Sequence, residues 1–507
     1  MIEGHAEEKN TADFAARHRP VQYKTMGASN LTASQAGFGC YRVSIDVKHH
    51  ENAMRKALTS GINIVDTSTN YANGGSEKLV GKVLDDMISE GALSRQEVIV
   101  VSKAGYLQGE NYALSQERKH EGNAFKELVT FGKEMEHCIH PDFLNDQLAR
   151  SLDRLNLETL DFLLLHNPEY YLEWAIEQGD SINEAREEYY RRIQNAFEYL
   201  EKEVNNGRIR AYGISSNTFT AASDASDFTS LDKIWSIAES ISENHHFQLV
   251  QFPLNLMEVG AVLEKNQQGN HNILQYSESK NLAVLINRPL NAFSDNKLIR
   301  LADIEAIKRQ DRNEIIKKIR ALAGSEKKLW MKILPKTDLL PGLTMRIKEQ
   351  IAIGDHLKHY HLNFGSYEKW RQARDNFYLP RVQGVMDFLK DNTPHMEEIT
   401  NWMADYQQVM ENAFRAVASF YTEAAQKKAN RMKESVNNAD ADWSSADTLS
   451  QKAFRCVRST KGVSSVLVGM RKDFYVDDIL KELHIPVPQK SRVPSWKKVS
   501  SDIHENI

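Results

Sequence analysis

The sequence predicts an α/β protein: a (β/α)8 TIM barrel with an N-terminal β-hairpin and a large α-helical insertion between strands 7 and 8. Three observations predict it. From about residue 22 to residue 300, short apolar or β-branched runs alternate with longer segments of helical period, the pattern of parallel strands joined by crossover helices. A run of the same kind, Gly462-Val-Ser-Ser-Val-Leu-Val-Gly-Met-Arg471, returns only after a long gap. Finally, polar residues close almost every candidate strand, and barrel active sites are built at those strand ends.

In chain order, residues 1–21 are charged and lack apolar periodicity, which predicts a flexible N-terminal arm. Residues 22–300 hold the first and larger stretch of the barrel, strands 1 to 7. Tyr23–Ser34, with Gly27 and Asn30 as turn residues, predicts a small hairpin plugging the barrel floor. Strands are expected at Gly37–Arg42, Asn63–Asp66, Val98–Lys103, Asp161–His166, Arg210–Ser215, Leu249–Phe252 and Val284–Asn287, and an eighth at Ser464–Gly469. The helices between them include Glu51–Ser60, stopped by Gly61, then Glu77–Ser89 and Asp142–Leu155, the last with Phe143, Leu144, Leu148, Leu152 and Leu155 on one stripe. Two excursions, Gln108–His140 and Glu169–Glu188, fall where barrel loops shape substrate pockets.

Residues 301–450 change texture to long charged helices, among them Asp303–Leu322 and Met396–Asn437, and form the expected insertion. Its Trp370, Trp402, Tyr406 and Tyr421 recur on apolar faces and are expected to pack the insertion against the barrel. The acidic run Asn437–Asp442 reads as a loop. The barrel resumes at 451–485 with strand 8 and the last helix, and the proline-bearing basic stretch 486–507 reads as an extended or mobile tail.

Composition narrows the function classes. With 41% hydrophobic and 26% charged residues the 507-residue chain is globular in character and long enough for one large barrel and more. A net charge of −5 supplies no basic field for nucleic acid. Cys40, Cys138 and Cys456 are far apart and outside any C-x-x-C pair, which argues against a disulfide framework or a zinc site and favours a cytoplasmic location. No apolar run reaches the roughly 18 residues of a membrane span. His356, His359 and His361 cluster without a matching carboxylate or cysteine spacing, so no metal is expected.

The chemistry resides at the strand ends. Asp66 closes the second strand with Tyr71 five residues on, Lys103 closes the third, His166 the fourth, Ser215 and Ser216 follow the fifth, and Gln251 lies in the sixth. Each alone has an ordinary structural explanation; their succession in one barrel points to a site. A carbonyl accepts hydride only if its oxygen is protonated or strongly hydrogen-bonded as charge develops. Tyr71 can donate that proton, and a neighbouring Lys103 ammonium, held charged by Asp66, is expected to lower the phenol's pKa. His166 is expected to steer the carbonyl and donate a second hydrogen bond.

Three stretches carry a resemblance: Gly-Ile-Asn-Ile-Val-Asp-Thr-Ser-Thr-Asn-Tyr-Ala-Asn-Gly-Gly-Ser-Glu-Lys-Leu-Val-Gly (61–81), Leu-Ala-Arg-Ser-Leu-Asp-Arg-Leu-Asn-Leu-Glu-Thr-Leu-Asp-Phe-Leu-Leu-Leu-His (148–166) and Gly-Arg-Ile-Arg-Ala-Tyr-Gly-Ile-Ser-Ser-Asn (207–217). They resemble the signatures of the aldo-keto reductase superfamily, over roughly residues 22–295 and 455–482. The resemblance implies that Asp66, Tyr71, Lys103 and His166 form a catalytic tetrad, with Tyr71 the acid in reduction and the base in oxidation. It implies a nicotinamide cofactor, NADP(H) rather than NAD(H), with Ser215, Ser216 and Gln251 at the carboxamide. Serine stands at 216 where asparagine is frequent in the family. Asn287 occupies the place of the usual stacking aromatic, Arg288 and Leu290 lie in the loop near the pyrophosphate, and Gly469 and Arg471 in the loop that meets the adenosine phosphate. Ile479 stands where an adenine-contacting asparagine is common.

Two functions follow as expectations. The first is an NADP-dependent oxidoreductase acting on an aldehyde, ketone or sugar carbonyl or the corresponding alcohol. The second is an NADPH-binding regulatory or scaffolding protein whose helical insertion binds a protein partner.

Overall fold

The computed structural model describes residues 1–294, 297–304 and 307–506, and the chain divides into two compact units, Met1–Leu301 with Lys433–Ile507, and Ala302–Met432. The first contains a closed barrel of eight parallel strands: β1 (Ala36–Gly39), β2 (Ile64–Asp66), β3 (Ile99–Ala104), β4 (Leu160–His166), β5 (Ile209–Ser215), β6 (Phe247–Pro253), β7 (Ala283–Asn287) and β8 (Ser465–Val468). Each strand pairs with its sequence neighbour, and β8 closes the ring on β1 through Leu467 opposite Gly37. All eight strands lie where the apolar runs predicted them, with ends shifted by a few residues.

The pleat decides which side chains enter the barrel. Ile64, Val101, Leu164, Leu249 and Leu285 belong to one buried cluster inside it. Side chains two residues apart on a strand share a face, so Asp66, Lys103, His166, Gln251 and Asn287 continue those five rows into the carboxyl-end mouth. Register sets their heights: Ser215 is opposite both His166 and Gln251. At the other end, Tyr23–Thr25 and Thr32–Ser34 pair antiparallel, and Met26, Leu31 and Ala33 fill the barrel floor.

Several expectations need correction. Residues 1–21 are not a loose arm. A helix spans Glu8–Arg17 with Thr11 and Phe14 buried, and Ala6 N–H donates to the buried Asp161 carboxylate at 2.7 Å. The buried face is only two residues wide, too narrow to register as periodicity among the charges. The tail is likewise ordered: Val493–Asn506 is a helix that buries Trp496, Val499 and Ile503. Asn437–Asp442 is not a plain loop, because the preceding helix runs to Ala439 and Asp440 caps the short helix Ala441–Ser444; Arg492 pairs with Asp440 and Asp442.

The second unit is helical, with helices at Arg312–Lys328, Pro341–Ile351, Ile353–Tyr360, Tyr367–Ala373 and Leu379–Asn392, and Glu397–Ala439 beginning within it. The first starts nine residues later than Asp303 because Asp311 accepts from Asn313 and Glu314 N–H and caps it there; Glu305 and Ala306, within the expected helix, lie outside the described residues. Trp370, Trp402, Tyr406 and Tyr421 pack this unit's own core, Trp402 stacked on Tyr406 at 4.8 Å and Trp370 edge-on to Phe414. Glu326 is buried there, accepting from Ile353 N–H, Gly354 N–H and the Tyr406 hydroxyl. Among the described residues no helix is long and apolar enough to cross a membrane.

Candidate active site

Lys103 is fully buried and its ammonium has two acceptors, Asp66 Oδ1 at 2.6 Å and the Thr67 carbonyl at 2.8 Å. Asp66 Oδ2 accepts from Gln251 Nε2 at 2.8 Å. Gln251 Oε1 in turn accepts from Ser215 Oγ at 3.2 Å and from Asn287 Nδ2 at 3.5 Å. One network therefore joins the ends of β2, β3, β5, β6 and β7.

Tyr71 opens the turn Tyr71–Gly74, in which Ala72, Asn73 and Gly74 all have positive φ (49°, 51° and 83°) before the helix Gly75–Ser89 begins. Two consecutive non-glycine residues in the left-handed region are costly. The turn lifts the Tyr71 ring over the barrel mouth, 5.1 Å from Lys103 Nζ, 5.9 Å from the His166 ring and 5.4 Å from the Tyr41 ring, both rings nearly perpendicular to it. The four residues expected to act together thus share one small region.

His166 is fixed at both ends. Its Nδ1 lies 3.0 Å from Ser68 Oγ, and its carbonyl accepts from His137 Nε2 at 2.7 Å. The Tyr106 ring stands edge-on to it at 4.7 Å, with the Tyr106 hydroxyl accepting from Asn167 Nδ2. Burial, reinforced by the Lys103 charge and by His137, holds the imidazole well below its ordinary pKa, so the ring is neutral. Asp66 is raised by burial against the opposing pull of Lys103.

Tyr71 departs from expectation. Burial first, and then the Asp66 charge, push its phenol well above the ordinary value. The expected lowering by Lys103 does not prevail: that ammonium is paired with Asp66 at 2.6 Å, with its Nζ 5.1 Å from the centre of the Tyr71 ring.

The remaining predicted residues are less concentrated. Ser216 is buried; its backbone N–H donates to the Gln251 carbonyl at 3.0 Å, while its hydroxyl is engaged by Thr218 and Thr229. Arg288, at φ 51°, pairs with Glu258 at 2.6 Å; its guanidinium, expected at a phosphate, is held by a carboxylate while its Nε is buried without a partner. Leu290 is buried at the base of the hairpin that follows β7. Gly469 faces open space where a Cβ would lie, and Arg471 is partly exposed near His50, whose imidazole is held below its ordinary pKa by burial first, then by His49, with a smaller push from Arg471. Ser68, Tyr106 and His137 were not anticipated. Ser68 carries a weak signal, two residues past Asp66; Tyr106 and His137 carry none.

The parallel barrel thus carries a buried Lys–Asp pair, a tyrosine and a neutral histidine together at its carboxyl-end mouth. The family model described as "Aldo/keto reductase family" matches residues 30–329, and the chain belongs to that family. Among curated relatives, a putative voltage-gated potassium channel subunit beta of Schizosaccharomyces pombe is 27% identical over 163 residues, 31% of this chain and 40% of that protein. An NAD(P)H-dependent D-xylose reductase of Scheffersomyces stipitis is 27% identical over 187 residues, 35% of this chain and 47% of that protein. The chain thus spans less than half the length of each. A solved glycerol dehydrogenase of Gluconobacter oxydans has a TM-score of 0.46 at 15% identity, covering 96% of this chain and 95% of that one.

Proposed function

We propose that the chain is an NADP(H)-dependent oxidoreductase that interconverts an aldehyde, ketone or sugar carbonyl with its alcohol, with Tyr71 as the proton donor and acceptor. The observation that supports it is the convergence of Tyr71, the Asp66–Lys103 pair and His166 on the inward rows of one barrel mouth. The residues present fit a nicotinamide cofactor. Asn287 Oδ1 is buried with no hydrogen-bond partner, an acceptor suited to a carboxamide NH2. Arg471 beside the open face at Gly469 suits a 2′-phosphate. When bound, the cofactor supplies or accepts the hydride.

The chain's own residues do the rest. Tyr71, fully protonated at neutral pH, delivers its proton to the oxygen as negative charge develops there. Lys103 and Asp66 stay paired beside the phenolate left behind, with Lys103 Nζ 5.1 Å from the Tyr71 ring centre. Ser215 and Gln251 would hold the carboxamide, and Arg288 would have to exchange Glu258 for a phosphate to serve the pyrophosphate. The barrel stretches 22–300 and 451–485 hold this site in our reading, with 301–450 as an insertion. The three buried, unpaired cysteines support a cytoplasmic location.

Titration with NADPH followed by a panel of aldehydes, ketones and sugars tests the reading. Tyr71→Phe is expected to lower turnover by about 10²–10⁴-fold and to leave NADPH affinity intact. Undiminished turnover in that variant would overturn the assignment. A second reading, a scaffold that holds NADPH while its helical unit docks a protein, draws on the exposed Met331, Leu340 and Met345 and on the likeness to the channel subunit. Cofactor binding without turnover of any carbonyl would favour it.

A further inference from the structure

We propose that the helical unit carries a face that docks on an anionic lipid surface, with Trp330, Met331, Leu340 and Met345 entering the lipid and Lys327, Lys328, Lys332, Arg346 and Lys348 meeting the headgroups. The inference concerns Ala302–Met432 by itself and does not rest on the reading of the barrel.

The face begins on a helix that buries one side only. Along Arg312–Lys328 and the wider turn Leu329–Ile333 that continues it, Ile315, Ile319, Leu322, Leu329 and Ile333 belong to the unit's core. Side chains three and four apart share a side of a helix, so Arg320, Gly324, Lys327, Lys328 and Met331 form the opposite stripe, and all five are exposed. Met331, 62% exposed, ends that stripe among cations rather than against other apolar groups.

The helix Pro341–Ile351 supplies the rest. It buries Ile347 and Ile351 and leaves Met345 64% exposed, and Leu340, just before it, is 68% exposed. Lys348 Nζ lies 5.8 Å from the centre of the Trp330 ring. Lys348 is three residues from Met345, and Trp330 adjoins Met331, so this contact brings the two methionine-bearing segments side by side.

Charge chooses the partner. Residues 327–349 hold six Lys or Arg against two acids, Asp338 and Glu349, in a chain whose net charge is −5. Lys336 pairs with Glu398; the other five cations are in no ion pair among the described residues. Glu326, the carboxyl next to Lys327, is turned into the core, where burial pushes it up to about 8, so it subtracts little from this field at neutral pH.

The same exposed tips support the scaffold reading, but the lysines around them fit a bilayer better than a protein. Protein interfaces deplete lysine at their centres. At a bilayer the lysine stem lies along the apolar layer while its ammonium reaches the headgroups. An indole, apolar in body with one polar N–H, suits the same boundary. An acidic membrane therefore answers both halves of the face, the unpaired cations and the uncovered apolar tips, and the chain would lie on it without crossing.

The test is co-sedimentation of the full chain with vesicles of phosphatidylcholine alone and of phosphatidylcholine mixed with phosphatidylserine. We expect binding to the mixed vesicles at low salt, none to the neutral ones, and release as salt rises. Each cation near an acidic surface is worth about fivefold in partition, so Lys327→Gln/Lys328→Gln/Lys332→Gln should weaken binding about a hundredfold. Met331→Ser/Met345→Ser keeps every charge and should weaken it about tenfold through lost apolar burial. All five positions are exposed, so both variants are expected to keep the wild-type circular dichroism spectrum. Failure to sediment with the mixed vesicles at low salt overturns the proposal, as does binding that either variant leaves unchanged. Binding to soluble polyglutamate without binding to vesicles also overturns it and points to an acidic protein instead. None of these readings uses turnover, so they stand apart from the outcome of Tyr71→Phe.

Discussion

Removing Asp66 tests how the site is held together. Asp66→Ala leaves the Lys103 ammonium with no side-chain exposure and one acceptor, the Thr67 carbonyl, and releases Gln251 Nε2 from its partner. Stranding one member of a buried pair costs about 3–5 kcal/mol, because the desolvation of the survivor is no longer offset. We expect a loss of that size, localised to β2 and β3 and read as lost hydrogen-exchange protection of their amides. A local measurement is preferable because a chain of two compact units does not unfold in one step. The double variant Asp66→Leu/Lys103→Met removes both charges, and the same reasoning expects it to recover most of the loss. A cost below about 1 kcal/mol for Asp66→Ala, or a double variant as unprotected as the single one, would refute the argument, since an uncompensated charge is its only source.

Two further outcomes concern regions away from the site. Glu326 is pushed by burial from its usual 4.5 up to about 8. Between those values the folded helical unit keeps a proton that the unfolded chain has released. Its contribution is therefore complete below about 4.5 and is lost as pH rises through about 8, at roughly 1.4 kcal/mol per pH unit within that window. Exchange protection over Arg312–Tyr360, corrected for intrinsic rates, should fall from pH 5 to pH 8 in the wild type and stay level in Glu326→Gln; a level wild-type profile contradicts it. Trp496→Ala deletes a fully buried indole whose Nε1 donates to Thr460 Oγ1 at 2.9 Å. We expect a cost of about 3–5 kcal/mol and faster proteolysis of Val493–Asn506, whereas cleavage at the wild-type rate would show that this helix is not docked by its tryptophan.

The features of the fold visible in the sequence are those governed by local pattern. Eight strands announce themselves because buried parallel strands are short continuous apolar runs, and the polar residue that ends each run enters the mouth because the pleat alternates. Asp66, Lys103, His166 and Gln251 were legible for that reason. What pattern does not carry is distance. A lysine near a tyrosine suggested a lowered phenol, but Asp66 takes that charge at 2.6 Å and Tyr71 moves the other way. Tyr106 and His137 reach His166 by contacts spanning segments far apart in sequence, and nothing in the local composition marks them. The two termini misled for the opposite reason: Phe14 anchors one helix, and Trp496 with Val499 and Ile503 the other, so one to three apolar residues among charged ones decide a docking that average composition hides.

The buried carboxylate of Asp161 has a practical corollary for anyone reshaping the chain. It collects Val100 N–H, the Arg95 guanidinium and Ala6 N–H, so the sixth residue helps seal the underside of a cylinder whose candidate site is at the other end. An affinity label ahead of Met1 leaves this seam untouched. Trimming the first seven residues as disposable would withdraw one of three donors from an anion that water does not reach, and damage would begin at the base of β3 and β4, far from the carboxyl-end mouth.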